Sequence, residues 1–158
     1  MKKYELTKET KVIGGKTVFR IRALRSFGDI KAGDLGGFIE NERNLSHEGN
    51  AWVGDNAKVN GYAQVGGNAR VGGYARVSGD GLINSNNDYL CEQGLGSHNR
   101  SASFFKCKDG HIHVLCGCFD GNLDEFENKV KEEHSNSKYA KEYLGFIEVV
   151  RTHFEVQQ

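Results

Sequence analysis

The chain has 158 residues, 21 basic and 21 acidic side chains, and a formal net charge of zero. That length suits one compact domain or two small ones, and the neutral balance gives no overall attraction to nucleic acid or anionic lipid. The apolar runs are too short to cross a membrane and no apolar secretion signal follows Met1, so a cytoplasmic protein with no membrane partner is expected.

Four cysteines at irregular spacings suggest no disulfide framework, because a cytosolic chain keeps them reduced. There are 21 glycines and no proline, where average usage would give about 8 prolines. Glycine must therefore turn this backbone.

In chain order, the first expected element is a hairpin. Residues 4–13 and 16–24 are its arms and Gly14-Gly15 its turn. In the second arm Phe19, Ile21 and Ala23 alternate with Arg20, Arg22 and Leu24, which predicts one apolar and one largely basic face. The glycines in residues 31–39 mark a connection expected to cap the leading end of the central segment.

From Ala51 a six-residue unit repeats. Alanine recurs at 51, 57, 63, 69 and 75, valine at 53, 59, 65, 71 and 77, and glycine at 49, 61, 67, 73 and 79. Alanine and valine two apart point to one face of a short extended segment, and the residue between them (Trp52, Lys58, Gln64, Arg70, Arg76) points to solvent. The glycine slot suits a corner in left-handed backbone. Three such sides close one coil of a parallel β-helix, so residues 18 apart should stack. Arg70 would then lie over Trp52, where a cation–π pair could form, and Arg76 over Lys58, a repulsive pair. Residues 45–83 supply only about two coils, whose apolar ends need caps or partners.

Past Gly81 the repeat stops. Two strands are expected around a two-residue turn at Asp109-Gly110, which would put Cys107 opposite Ile112 and gather Phe105, Cys107, Ile112, Val114, Cys116 and Cys118 on one inner face. Asn122 with Glu125 reads as the cap of a helix, and a second helix begins near residues 135–137 with Tyr139, Tyr143, Ile147, Val150 and Phe154 as its apolar stripe. Net charge falls from +4 over residues 1–44 to −4 over residues 82–158. Such segregation either steers a partner or is ordinary solvated charge.

Two anion sites are candidates. In the glycine-rich segment 94–101, backbone N–H groups together with Ser97, Asn99 and Arg100 could hold a phosphate or carboxylate; a plain connecting loop is the alternative. Arg20 and Arg22, two residues apart, could clamp an anion, or could simply face solvent, and the Lys58 and Arg76 stack is read the same two ways. Zinc is suggested by His111 and His113 followed by Cys116 and Cys118, with Cys91, Cys107 and His98 nearby. On one regular strand the two pairs face opposite ways and the spacing departs from that of paired Cys ligands, so buried free cysteines are expected rather than a metal site. On an apolar inner face a thiol's pKa rises, so no cysteine nucleophile is expected either, and no cofactor is expected.

The hexads, Val65-Gly66-Gly67-Asn68-Ala69-Arg70 among them, resemble the hexapeptide-repeat family, whose fold is a left-handed parallel β-helix. The resemblance implies a mainly β protein. It comprises an N-terminal hairpin cap (1–44), a short left-handed β-helix (45–83) and a small α+β unit of two strands and two helices (84–158). Many members of that family are trimeric acyltransferases that use acyl-CoA and a histidine base, a role that His47 alone could fill within the repeat.

Phe19-Arg20-Ile21-Arg22-Ala23-Leu24, the run from Lys31 through Gly36-Gly37-Phe38-Ile39-Glu40, Asn44-Leu45-Ser46, Cys116-Gly117-Cys118-Phe119 and Leu123-Asp124-Glu125-Phe126 resemble small hexapeptide-repeat proteins of phages and prophages. A solenoid too short to stand alone, segregated charge and no assembled catalytic group lead to the expectation of a non-enzymatic homo-oligomer in the bacterial host cytoplasm. A trimer is expected, as in much of the hexapeptide-repeat family. Counter-defence is the implied role, by sequestering an anionic nucleotide signal or blocking a host defence protein. An acyltransferase and a structural scaffold are the alternatives.

Overall fold

The structure is a computed structural model that describes residues 2–156. Met1, Gln157 and Gln158, at the outer limits of the first and last expected segments, lie outside the described residues.

Strands β1 (Tyr4–Ile13) and β2 (Lys16–Ala23) form the expected antiparallel hairpin, turning through Gly14 and Gly15 in left-handed backbone (φ +56° and +78°). A bulge in β1 between Leu6 and Thr10 shifts the pairing. Strand β3 (Leu35–Ile39) adds antiparallel to β2, and a short 3-10 turn, Glu42–Asn44, leads into the repeat.

The repeat forms six two-residue strands: β4 (Trp52–Val53), β5 (Lys58–Val59), β6 (Gln64–Val65), β7 (Arg70–Val71), β8 (Arg76–Val77) and β9 (Leu82–Ile83). They pair in parallel at intervals of 18 residues on three separate ladders, with Trp52 opposite Arg70, Lys58 opposite Arg76 and Gln64 opposite Leu82. The β5–β8 ladder continues through β3 into the hairpin, making one five-stranded sheet.

The inward facing of alanine and valine holds, but Trp52, expected to point to solvent, is buried against Phe27 and Gly36 of the N-terminal segment. All five repeat alanines are fully buried, and none of the five valines is more than 1% exposed. Burying these side chains is the main drive for the winding. Gly49, Gly61, Gly67, Gly73 and Gly79 all have φ near +60°, and the one substitution in that slot, Asp55, has φ +52°. Aspartate is among the few residues that tolerate this region.

Both ends of the repeat are covered within the chain. At the leading end Tyr4 is buried, stacks on His47 at 4.1 Å between centroids and donates its hydroxyl to the Leu45 carbonyl at 2.6 Å. Lys3 is fully buried beside it, with Nζ donating to the Ala51 carbonyl at 2.6 Å.

The trailing end meets a four-stranded antiparallel sheet: β10 (Tyr89–Leu95), β11 (Arg100–Lys106), β12 (Ile112–Cys116) and β13 (Phe119–Asn122). Phe105, Cys107 and Leu115 on one face join the repeat core. Ala102, Phe104, Ile112, Val114 and Cys116 on the other pack against helices α1 (Leu123–His134) and α2 (Lys138–His153). Asn122 and Glu125 form the expected reciprocal cap of α1, and Ser137 caps α2. The described chain is thus mainly β, with several open sheets and an α+β ending. None of its helices is long and apolar enough to cross a membrane.

Three expectations are corrected. The ending has four strands, not two: Gly117-Cys118 is itself a tight turn joining β12 to β13, and β10 pairs on the far edge. The β11–β12 connection is a three-residue loop, with the Cys107 N–H donating to the His111 carbonyl and the Gly110 N–H to the Cys107 carbonyl. Lys106 therefore faces Ile112 and Phe105 faces His113, one residue off the expected register. A one-residue slip exchanges the two faces of a strand. Cys107 consequently shares a face with His111 and His113, while Cys116 lies among the helices and Cys118 is exposed.

Candidate functional site

Segment 94–101 folds as the β10–β11 turn. Gly94 and Gly96 take left-handed backbone (φ +91° and +74°), but the Gly96 N–H donates at 2.6 Å to the Glu142 carboxylate of α2. The chain has filled this anion-accepting position with its own carboxylate. Ser97 and Asn99 lie exposed on the turn, and Arg100 leans across Gly117, where an added Cβ would meet its Nη1 at 2.6 Å.

Arg20 and Arg22 do not clamp a shared point. Arg20 donates through Nε to Glu9 and through Nη1 to the Gly36 carbonyl, both at 2.6 Å, whereas Arg22 pairs with Glu5 at 3.3 Å. Arg70 turns its guanidinium to Asp29, at 2.6 Å, rather than over Trp52, whose ring instead meets the edge of Phe27.

What the structure does assemble is a row of cations across the five-stranded sheet. Pairing runs from Arg20 on β2 to Phe38 on β3, to Lys58 on β5, to Arg76 on β8. These positions share the outward face. At the strand spacing of about 4.8 Å the row spans roughly 14 Å.

Phe38, outward-facing yet fully buried, is roofed by the Lys11 ammonium at 4.7 Å and the Arg20 guanidinium at 4.4 Å from its centroid. Val18 is buried on the same face. The ring's negative face offsets part of the repulsion between these cations. Arg76 donates to the Gly117 carbonyl at 3.2 Å, which brings the row to the turn that Arg100 covers.

Charge compensation is thin here. Arg20 has Glu9 as an ion-pair partner, but among the described residues Lys11, Lys58 and Arg76 have no carboxylate within ion-pair distance. Lys58 donates to the Asn56 carbonyl at 3.2 Å, and its pKa is lowered first by burial and then by Lys11 and Arg76. The 18-residue spacing alone places Lys58 beneath Arg76. Lys11 joins them through pairing within the bulged β1, which no sequence period announces.

His47 is occupied at both nitrogens, Nδ1 accepting the Lys3 N–H at 3.0 Å and Nε2 facing Glu42 at 3.1 Å. Burial raises the pKa of Cys91 and Cys116, and pushes Cys107 up to about 12. These thiols lack the depressed pKa of a nucleophile. A cleft of about 690 Å³ opens beside Arg70, Tyr74 and Tyr89, and a neighbouring one of about 480 Å³ is lined by Asp29, Asp34, Asp55 and Trp52. The Arg70–Asp29 ion pair neutralises the charges where they adjoin.

A scan against protein-family models finds no match to the chain, and a search of curated proteins finds none either.

Proposed function

We propose that the protein is a non-enzymatic binding protein whose row of Lys11, Arg20, Lys58 and Arg76 receives an acidic surface of a protein partner. The observation that carries the reading is Lys58, partly desolvated, flanked by two like charges and, among the described residues, facing no carboxylate. A cation held this way gains from an incoming anion, because the partner relieves both its desolvation and its repulsion.

Of the two ligands expected from the sequence, a protein surface suits an open row across neighbouring strands. A nucleotide needs a concave site with converging donors, and Ser97, Asn99 and Arg100 lie on a turn whose Gly96 N–H already serves Glu142. The resemblance to small phage proteins makes a host defence protein in the bacterial cytoplasm the kind of partner in view. The three parallel ladders support the left-handed β-helix implied by the hexapeptide resemblance. With both ends of the repeat covered inside one chain, the row is complete in a single subunit and needs no second copy to assemble. The double engagement of His47 supports a structural role for it better than that of an acyl-transfer base.

The test is an NMR titration of the labelled protein with poly-glutamate and, separately, with a nucleoside triphosphate. Poly-glutamate should shift resonances on β2, β5 and β8, and the Lys58→Glu, Arg76→Glu double variant should abolish the effect. Shifts confined to residues 97–100 with the nucleotide would restore the nucleotide reading. No response to either probe would reject an anion-binding role.

A further inference from the structure

We infer that Cys107, His111 and His113 form a binding site for zinc or a similar borderline divalent cation. The corrected hairpin register creates it: the three-residue loop puts Cys107 across from His111, and His113 follows two residues on, on the same face. The Cys107 Sγ and one ring nitrogen from each histidine all lie within 4.8 Å of one another. The loop is anchored to the last coil by the Lys108 N–H, which donates to the Asp80 carbonyl at 3.0 Å, and by a bridge between Gly81 and Cys107.

The histidine hydrogen bonds give the stronger reason. His111 Nδ1 lies 2.5 Å from the Asp109 carboxylate, and His113 Nε2 lies 2.5 Å from the Asp120 carboxylate. A carboxylate only accepts, so each of these nitrogens carries a proton. In the neutral rings the other two nitrogens, His111 Nε2 and His113 Nδ1, are therefore bare lone pairs. They face each other at 3.2 Å.

Two acceptors at that separation repel unless a proton joins them or a metal ion binds both lone pairs. The nearby Cys107 sulfur supplies the third ligand that a metal, but not a proton, would use. Each ring is also held in its ligating tautomer by a carboxylate on its far nitrogen, the support that metal-bound histidines ordinarily have. One thiolate and two imidazoles suit zinc, and leave a fourth position for water or an outside donor. Cys107 is buried and His111 exposed, so the ion enters from the histidine side, and binding displaces the thiol proton. The site does not use the basic row and stands independently of it.

Cobalt(II) titrated into the reduced full-length protein tests the site. One equivalent should give the visible bands of four-coordinate cobalt with a thiolate-to-cobalt band in the near ultraviolet, and zinc should bleach both. Cys107→Ser should remove the thiolate band. The surface pair His111→Gln, His113→Gln, with its fold checked by circular dichroism, should remove measurable binding. Asp120→Asn should weaken affinity about 10- to 100-fold, while Cys116→Ser and Cys118→Ser should leave the spectrum unchanged. The site is overturned by no bands in excess cobalt, by a thiolate band that survives Cys107→Ser, or by one lost with Cys116 or Cys118 instead.

Discussion

The Asp55 carboxylate accepts the Gly73 N–H at 2.9 Å, across the 18 residues that separate adjacent coils. Asp55 occupies the corner slot that glycine fills elsewhere, so it meets left-handed backbone and uses its side chain to tie that corner to the next coil. Asp55→Ala should cost about 1 to 3 kcal/mol, from left-handed strain plus a lost hydrogen bond to a charged acceptor. Asp55→Asn should cost well under half of that. Urea denaturation measures both, and equal losses would show that a neutral acceptor at this corner restores neither the bond nor the left-handed backbone.

The corner glycines are not equivalent. A Cβ on Gly67 would press into the Asn84 carbonyl oxygen, whereas one on Gly73 would meet nothing within 4 Å. Gly73→Ala should cost about 1 to 2 kcal/mol for left-handed backbone alone. Gly67→Ala should cost distinctly more, because backbone must move. A difference in the urea midpoints of the two variants reads this directly.

Asn44 is fully buried, its amide nitrogen donating to the Gly61 and Ala63 carbonyls at 3.1 and 2.9 Å and its oxygen accepting the Asn41 N–H. Asn44→Ala leaves the Ala63 carbonyl and the Asn41 N–H without partners and the Gly61 carbonyl with Arg43 alone, and should cost roughly 2 to 4 kcal/mol. Asn44→Asp should be at least as harmful near neutral pH, because it aims a carboxylate at two carbonyl oxygens. Thermal unfolding of the two variants would check the order.

Lys3 predicts a pH dependence. Burial, then Arg25 and Arg70, lower its pKa to about 8 in the folded chain, while Glu48 opposes the shift. Between about pH 8 and its ordinary value near 10.4 the unfolded chain binds more protons at this residue, so its contribution to stability rises with pH. The slope is at most about 1.4 kcal/mol per pH unit. Buried thiols and tyrosines, whose pKa values are raised, act in the opposite direction and mask it in the native protein. The informative quantity is the stability of the native protein minus that of Lys3→Met, which should grow from pH 8 to pH 9.5. A flat difference would mean that Lys3 keeps an ordinary pKa.

The repeat was legible because alanine, valine and glycine each answer to one local demand: two inward faces and one left-handed corner. The cap of α1 at Asn122 and the start of α2 near residue 137 were legible for the same reason. The β11–β12 register was not, because Asp109-Gly110 serves a two- or a three-residue loop equally well and the choice decides which face Cys107 occupies. Lys3 resembles any surface lysine until the coil's end carbonyls converge on it. The row of cations was half legible, since Lys58 and Arg76 follow from the period while Lys11 depends on a bulge.

The β10–β13 sheet joins the repeat core through one face and the helices through the other. Repeat length is therefore geared to the orientation of the whole C-terminal half. Adding a single hexad would swing that half to the neighbouring side of the coil, taking Gly117 and Arg100 off the line of Lys58 and Arg76. Adding 18 residues, the interval at which Lys58 meets Arg76, would carry it forward by one strand spacing, about 4.8 Å, with its bearing preserved. Length variants that stay folded and keep an unbroken basic row should come in steps of three hexads.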